Sequence, residues 1–389
     1  MGEKGRRDAV ALESAPLDNE RLELIRDIEL KRGSRVIAYV TGDREGLSSH
    51  VEWEDVRAIE RHVRLVMRSN PRKLDLLLAT NGGVAVMPWR LVSMLREFLG
   101  DRPFSVLIPS RAMSAGTKIS LGADEIVMGP AGVLGPIDTQ VGAQTSVEAV
   151  SAYFDLVERS GLKSALARLE AFRMLAASVP PIVLGLFNRV AQEGERVALR
   201  LLESRRKPLS AKSNEAIVSA LLRQIGLHGQ AISRSEARRL GLSFVKDAET
   251  YGIEEDMAQL FDQYEALLKT DAPFIRAPDP ADPQQDSEFD LSGAAAAEQP
   301  VAIVESIDRL DIAKSVFDYR FWRDAPPQPA PMVPAPTGEE DPEDPNAPPR
   351  PYPNPAIPPI PVGGSAAFGG SESARPSGRL IWRAYRTRD

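Results

Sequence analysis

Between Arg35 and Met128 the chain repeats one unit: a short apolar run, a turn, then a longer run with helical apolar spacing. The apolar runs are Val36 to Thr41, Leu74 to Thr80, Phe104 to Pro109 and Glu125 to Met128, and each predicts a strand. Val51 to Arg68, Val84 to Leu99 and Ser114 to Leu121 lie between them as predicted helices. Strands alternating with helices constrain the fold to an α/β class, with a parallel sheet and helices outside it. Further helices are expected at 147–157, 162–177, 182–203, 214–225, 234–240 and 254–270, with Pro180 and Pro181 dividing two of them.

Two of the strand-to-helix turns carry residues suited to chemistry. The third strand delivers Ser114 to the first turn of a small-residue helix, beside backbone N–H groups that lack intrahelical partners. Such a serine is either a helix cap or a nucleophile, and both readings stand on local pattern. The second strand ends in Asn81-Gly82-Gly83, where paired glycines leave backbone amides free to face an oxyanion.

Five motifs follow in order: TNGG at Thr80 to Gly83, AMSAGT at Ala112 to Thr117, GADEIVMGP at Gly122 to Pro130, LGPID at Leu134 to Asp138, and EARRLGL at Glu236 to Leu242. Together they resemble the serine dehydrogenase proteinase family of the Clp protease/crotonase superfamily, relatives of signal peptide peptidase A. The resemblance covers roughly residues 30 to 250. It implies a Clp protease/crotonase-like core of repeated β-β-α and βαβ units with a helical outer region. It also implies a serine-type endopeptidase, with Ser114 as nucleophile and the amides of Gly82, Gly83 and Ala115 as the oxyanion hole. Where the family usually has proline before the glycine pair, this chain has Asn81.

A serine needs a base, and the chain has three histidines, His50, His62 and His228. His62 falls between Arg61 and Arg64 and is expected on the solvated arc of its helix. By the resemblance, Asp138 stands near where Clp proteases place the triad histidine, and His228 near where they place the acid. Roles and not chain order define a triad, so Ser114, His228 and Asp138 form one candidate set. The alternative base is Lys163, at about the downstream spacing used by the Ser/Lys dyad of signal peptide peptidase A relatives. Lys118, four residues after Ser114, stands where the family has an apolar residue and receives no role.

Composition excludes several other classes. A net charge of −7 argues against a nucleic-acid surface, and the absence of cysteine rules out disulfides and thiolate chemistry. No phosphate-binding loop and no HExxH occur, so no cofactor or metal is expected and ATP-driven unfolding would need another protein. No apolar window reaches membrane-spanning length and the N-terminus has no signal-peptide core, so a cytoplasmic protein without a transmembrane segment is expected.

The expected organisation is a charged lead-in (1–30), the peptidase domain (31–270), a linker (271–300), an ordered return segment (301–323), a Pro-rich linker (324–377) and a basic aromatic tail (378–389). Residues 325–361 hold 16 of the 32 prolines and cannot bury enough apolar surface to offset ordering, which predicts disorder. Expected partners are a peptide or protein substrate, further copies of the chain in a homo-oligomer, and a protein partner for the C-terminal tail. Two other functions share the sequence features: a crotonase-type acyl-CoA enzyme using the same glycine amides, and an inactive scaffold or adaptor presenting the Pro-rich tail.

Overall fold

The computed structural model describes residues 19–137, 140–141, 145–224, 231–274, 297–318 and 377–387. Its centre is an eight-stranded sheet. Five strands run parallel: β1 (Arg35–Thr41), β2 (Leu74–Ala79), β3 (Phe104–Ile108), β4 (Glu125–Met128) and β5 (Val245–Asp247). Three further strands, β6 (Ala297–Ser306), β7 (Arg309–Asp318) and β8 (Ser377–Thr387), extend it antiparallel, giving the order β5-β4-β3-β2-β1-β6-β7-β8.

Alternation along each strand sends side chains into two separate cores. In β1, Ile37 and Tyr39 join one core while Val36, Ala38 and Val40 join the other. The first core is closed by α2 (Trp53–Val66), α3 (Met87–Leu99), α4 (Ala115–Leu121), α7 (Pro181–Glu203) and α8 (Ala211–Ser219). Val56, Ile59, Val63 and Val66 of α2 are buried there, at the spacing of one helical face. The second core is closed by α1 (Asn19–Arg32) and α9 (Glu254–Leu268). Every residue of β2 is buried, and each large aliphatic so placed contributes roughly 1.5–3 kcal/mol.

At the N-terminal ends of the parallel strands, Arg32 of α1 binds Asp75 (Nε to Oδ2, 2.9 Å) and Glu125 (Nη2 to Oε2, 2.7 Å). Burial works against the Arg32 charge, but Asp75 and Glu125 outweigh it and raise its pKa above the ordinary value. The pair thereby clamps α1 onto β2 and β4.

Helices α5 (Val147–Arg159) and α6 (Ala165–Ser178) lie between the fourth strand and α7, and much of their apolar surface is exposed. Leu166 is 75% exposed and Ile182, at the start of α7, 83%. Among the described residues no single helix is long and apolar enough to cross a membrane, and no cluster of three or more acidic, His or Cys side chains could hold a metal ion.

The C-terminal segments depart from the sequence reading in two places. The expected linker to residue 300 gives way to β6 at Ala297, and the basic aromatic tail forms β8, paired with β7 along Ser377–Thr387. Residues 319–376, which hold the end of the expected return segment and all but the last residue of the expected Pro-rich linker, lie outside the described residues. His62 is a further correction, since it is fully buried and not solvated. Its Nδ1 lies 3.0 Å from Ser306 Oγ, and its Nε2 lies 3.8 Å from the buried Asp311 carboxylate. The hairpin β6–β7 covers the arc of α2 that the pattern of charged neighbours assigns to solvent, and it lies more than two hundred residues away in sequence.

Candidate active site

The site is built at the C-terminal ends of β2 and β3. After β2, Thr80 keeps the two connections in step: its N–H donates to Arg111 O (2.9 Å), and its carbonyl accepts from Met113 N–H (2.9 Å). Its hydroxyl accepts from Gly82 N–H (3.1 Å) and lies 2.9 Å from the Thr41 hydroxyl. These bonds bring the Gly82-Gly83 turn against the Met113-Ser114-Ala115 turn.

Gly82 has φ +114°, and a Cβ there would stand 2.9 Å from Ser114 Cβ and 3.3 Å from Ala115 N. Only glycine allows so close an approach. Gly83 is held from its other side by Val51, whose N–H donates to Gly82 O (2.8 Å) and whose carbonyl accepts from Val84 N–H (3.0 Å). A Cβ on Gly83 would overlap the Val51 backbone, at 2.3 Å from its nitrogen and 2.4 Å from its oxygen. With both neighbouring groups engaged, the Gly83 N–H has no acceptor among the described residues.

Ser114 precedes α4 with φ +46° and ψ −105°, a conformation that side-chain-bearing residues seldom adopt. Its side chain makes no capping bond, so the structure decides against the helix-cap reading. Ser114 is half-buried in a strained turn at the positive end of a helix, and among the described residues its hydroxyl has no hydrogen-bond partner. Ala115 is the first residue of α4, and its N–H is one of the orphan donors of that end. The amides of Gly83 and Ala115 thus come from the two turns that meet at Gly82.

Several supporting residues were not visible as such in the sequence. Thr117 Oγ1 lies 2.7 Å from Ala112 O and 2.9 Å from Gly135 O, and accepts from Gly135 N–H (3.0 Å), which pins the first turn of α4 to the segment after β4. Gly116 lets α4 approach Thr80, since a Cβ there would come within 2.7 Å of Thr80 Cγ2. Asn81, the departure from the family pattern, accepts from Arg111 Nε at 2.7 Å, so an inter-turn hydrogen bond fixes this loop in place of a rigid proline. Beside Arg111 opens a cavity of about 450 Å³ bordered by Asp43, Asp262, Glu265 and Asp271. Burial raises the Glu265 carboxyl above its ordinary range, with Arg111 opposing the shift.

The candidate bases are placed less completely. Asp138 and His228 lie outside the described residues. Lys163 is exposed and stands just before Ser164, whose hydroxyl caps α6 by accepting from Ala167 N–H (3.1 Å). Lys118 is 1% exposed, its side chain enclosed in the packing of α4 one turn beyond Ser114. A lysine at a position otherwise suited to an apolar residue signalled something unusual there; its complete burial needed the structure.

Comparison with known proteins finds the following similarities. Residues 10–163 match the family described as ClpP-like SDH-type serine proteinases. The chain is 36% identical over 142 residues to an uncharacterized protein of Methanocaldococcus jannaschii, MJ1495, covering 35% of this chain and 47% of that one. A second uncharacterized protein of that organism, MJ0137, is 31% identical over 151 residues, covering 37% and 50% of the two chains. The chain therefore spans about half the length of these relatives. Among solved structures, a mutant of the 1510-N membrane-bound stomatin-specific protease aligns at 16% identity and TM-score 0.32, over 54% of this chain and 79% of that one. Another mutant of it, in complex with a substrate peptide, aligns at 17% identity and TM-score 0.24, over 55% and 91%. Residues 10–163 are thus similar to the ClpP-like SDH-type serine proteinases, and the fold that contains them is α/β.

Proposed function

We propose that this protein is a serine endopeptidase that acts without ATP and cleaves peptide bonds through Ser114. The observation that carries this reading is the strained, uncapped Ser114 set against Gly82, where the turn bearing the Gly83 amide meets the turn bearing the Ala115 amide. In this mechanism Ser114 Oγ attacks the scissile carbonyl carbon while its proton passes to a base. The carbonyl oxygen becomes an oxyanion held by the two N–H groups, each worth about 3–4 kcal/mol of transition-state stabilisation. Collapse expels the amine, which takes the proton from the base, and water then releases the acyl group by the reverse sequence.

His228 is the proposed base, with Asp138 orienting its ring, and Lys163 is the alternative. The exposed apolar side chains Leu156, Leu162, Leu166, Met174 and Ile182 support assembly into a homo-oligomer, because a lone soluble chain rarely leaves such a set uncovered. A cytoplasmic location completes the reading.

A fluorophosphonate probe tests it directly. Wild-type protein should label and Ser114→Ala should not, with equal thermal stability of the two checked by calorimetry. Loss of labelling in His228→Ala but not Lys163→Ala supports the triad, and the opposite pattern moves the base to the lysine. A wild type that never labels, and cleaves no unfolded protein, overturns the proposal.

A further inference from the structure

A second polar cavity, of about 530 Å³, opens at the opposite end of the parallel strands from Ser114. It lies where Asp124 enters β4, where Arg205 to Lys207 leave α7, and where Ser243 and Phe244 lead into β5. Its charge is unlike that of the chain as a whole, which carries −7. Arg205, Arg206, Lys207 and Lys246 border it, and Asp124 is the one carboxylate among the bordering residues.

That carboxylate is already committed. Asp124 accepts from Arg96 through both oxygens (2.8 and 3.1 Å), from Phe104 N–H (2.9 Å) and from Arg206 N–H (2.8 Å). Although burial opposes ionisation, these donors hold its pKa below the ordinary carboxylate range. Arg205 therefore shares no ion pair with it. Its Nε and Nη2 donate to the carbonyls of Ala123 (2.9 Å) and Asp124 (3.1 Å), and its guanidinium lies 3.4 Å from the centre of the Phe244 ring. Its Nη1 has no acceptor among the described residues, and the residue is only 7% exposed.

A buried cation with neutral partners is costly. Burial, with Arg96 adding repulsion and Asp124 opposing, lowers the Arg205 pKa to about 10. At the rim Arg206, Lys207 and Lys246 are exposed and make no ion pair among the described residues. A multiply charged anion would offset all four positive groups at once, which a single carboxylate could not do. The cavity is larger than an isolated phosphate needs and falls within the usual range for organic ligands, with Leu209 and Phe244 as an apolar wall.

We propose that this cavity is a binding site for a small organic molecule bearing a phosphoryl or pyrophosphoryl group. Arg206, Lys207 and Lys246 engage the anion from the rim, Arg205 supplies a fixed positive field beneath it, and the organic body rests against Leu209. The site is independent of the peptidase reading.

Isothermal titration of the full chain with inorganic pyrophosphate, at constant ionic strength, tests it. Wild type and Ser114→Ala should bind saturably, in the millimolar range or tighter. The double variant Arg206→Ala/Lys246→Ala, whose side chains are exposed, should retain its fold by near-UV circular dichroism and bind at least about tenfold more weakly, the loss expected for two charge-assisted contacts. Phosphorus NMR line broadening of pyrophosphate should show the same difference. Absence of saturable binding to the wild type, or equal affinity in the folded double variant, overturns the site.

Discussion

Gly82→Ala should separate loss of catalysis from loss of fold. The new Cβ would meet Ser114 Cβ at 2.9 Å, Met113 O at 3.2 Å and Ala115 N at 3.3 Å. Carbon atoms pack best at about 3.5–4.0 Å, so the two turns must separate by roughly 0.6–1.1 Å. A side chain at φ +114° adds about 1–3 kcal/mol of backbone strain, and the overlap costs about 1–3 kcal/mol more. Both costs fall on one buried turn beside Ala115 of the first core, so the melting temperature should drop by several degrees or more while the remaining sheet packing keeps the chain folded. A displacement of about 1 Å at the nucleophile lowers rate about 100-fold, which should appear as a proportionate fall in the second-order rate of fluorophosphonate labelling. Gly100→Ala is the matched control: Gly100 also has positive φ (+55°), but a Cβ there meets nothing within 4 Å, so it should lose stability without loss of labelling. If folded Gly82→Ala labels within about threefold of wild type, the close apposition of the two turns does not govern reactivity and the reasoning fails.

Other consequences follow from individual residues. Ser114→Gly should abolish labelling yet raise stability by about 1 kcal/mol, since it relieves φ +46° and removes no capping bond; calorimetry showing destabilisation would contradict the strain. His62→Ala should destabilise by roughly 2–4 kcal/mol in urea unfolding, because it leaves a cavity and strips the buried Ser306 of its 3.0 Å partner, whereas a solvated histidine would cost almost nothing. Asp124 titrates below its unfolded value of 3.8, so the stability it contributes is fully present above about pH 5 and is lost as pH falls through the lower folded value. Asp124→Asn should therefore lower stability at neutral pH and reduce the steepness of acid unfolding below about pH 4; an unchanged acid limb would refute that assignment.

The order of strands and helices from Arg35 to Met128 was legible because each element is specified locally. Consecutive apolar residues in Leu74 to Ala79 and the helical spacing of Val56, Ile59, Val63 and Val66 arise from the chain's own periodicity. Ser114 and the glycine pair were legible for a related reason: a turn after a strand and a tight backbone approach leave small residues at fixed places. The placement of His62 was not legible, since burial depends on which distant element covers a helix face. Arg61 and Arg64 mark a polar arc only if water is its neighbour, and here Asp311 of β7 pairs with Arg61 at 3.0 Å.

By itself, then, the sequence determined the α/β alternation, the strand-turn-helix units that carry Ser114 and Gly82-Gly83, and the family expectation attached to them. The tertiary structure decided whether Ser114 caps its helix, that Arg111 secures Asn81, and that the tail returns as β8 on the sheet edge. It also decided that Lys118 and His62 are buried and that Arg205 lies beneath a basic cavity. The division follows from physical range: backbone preference and periodicity act within a few residues, whereas burial, ion pairing and strain are set by groups that meet only when the chain has folded.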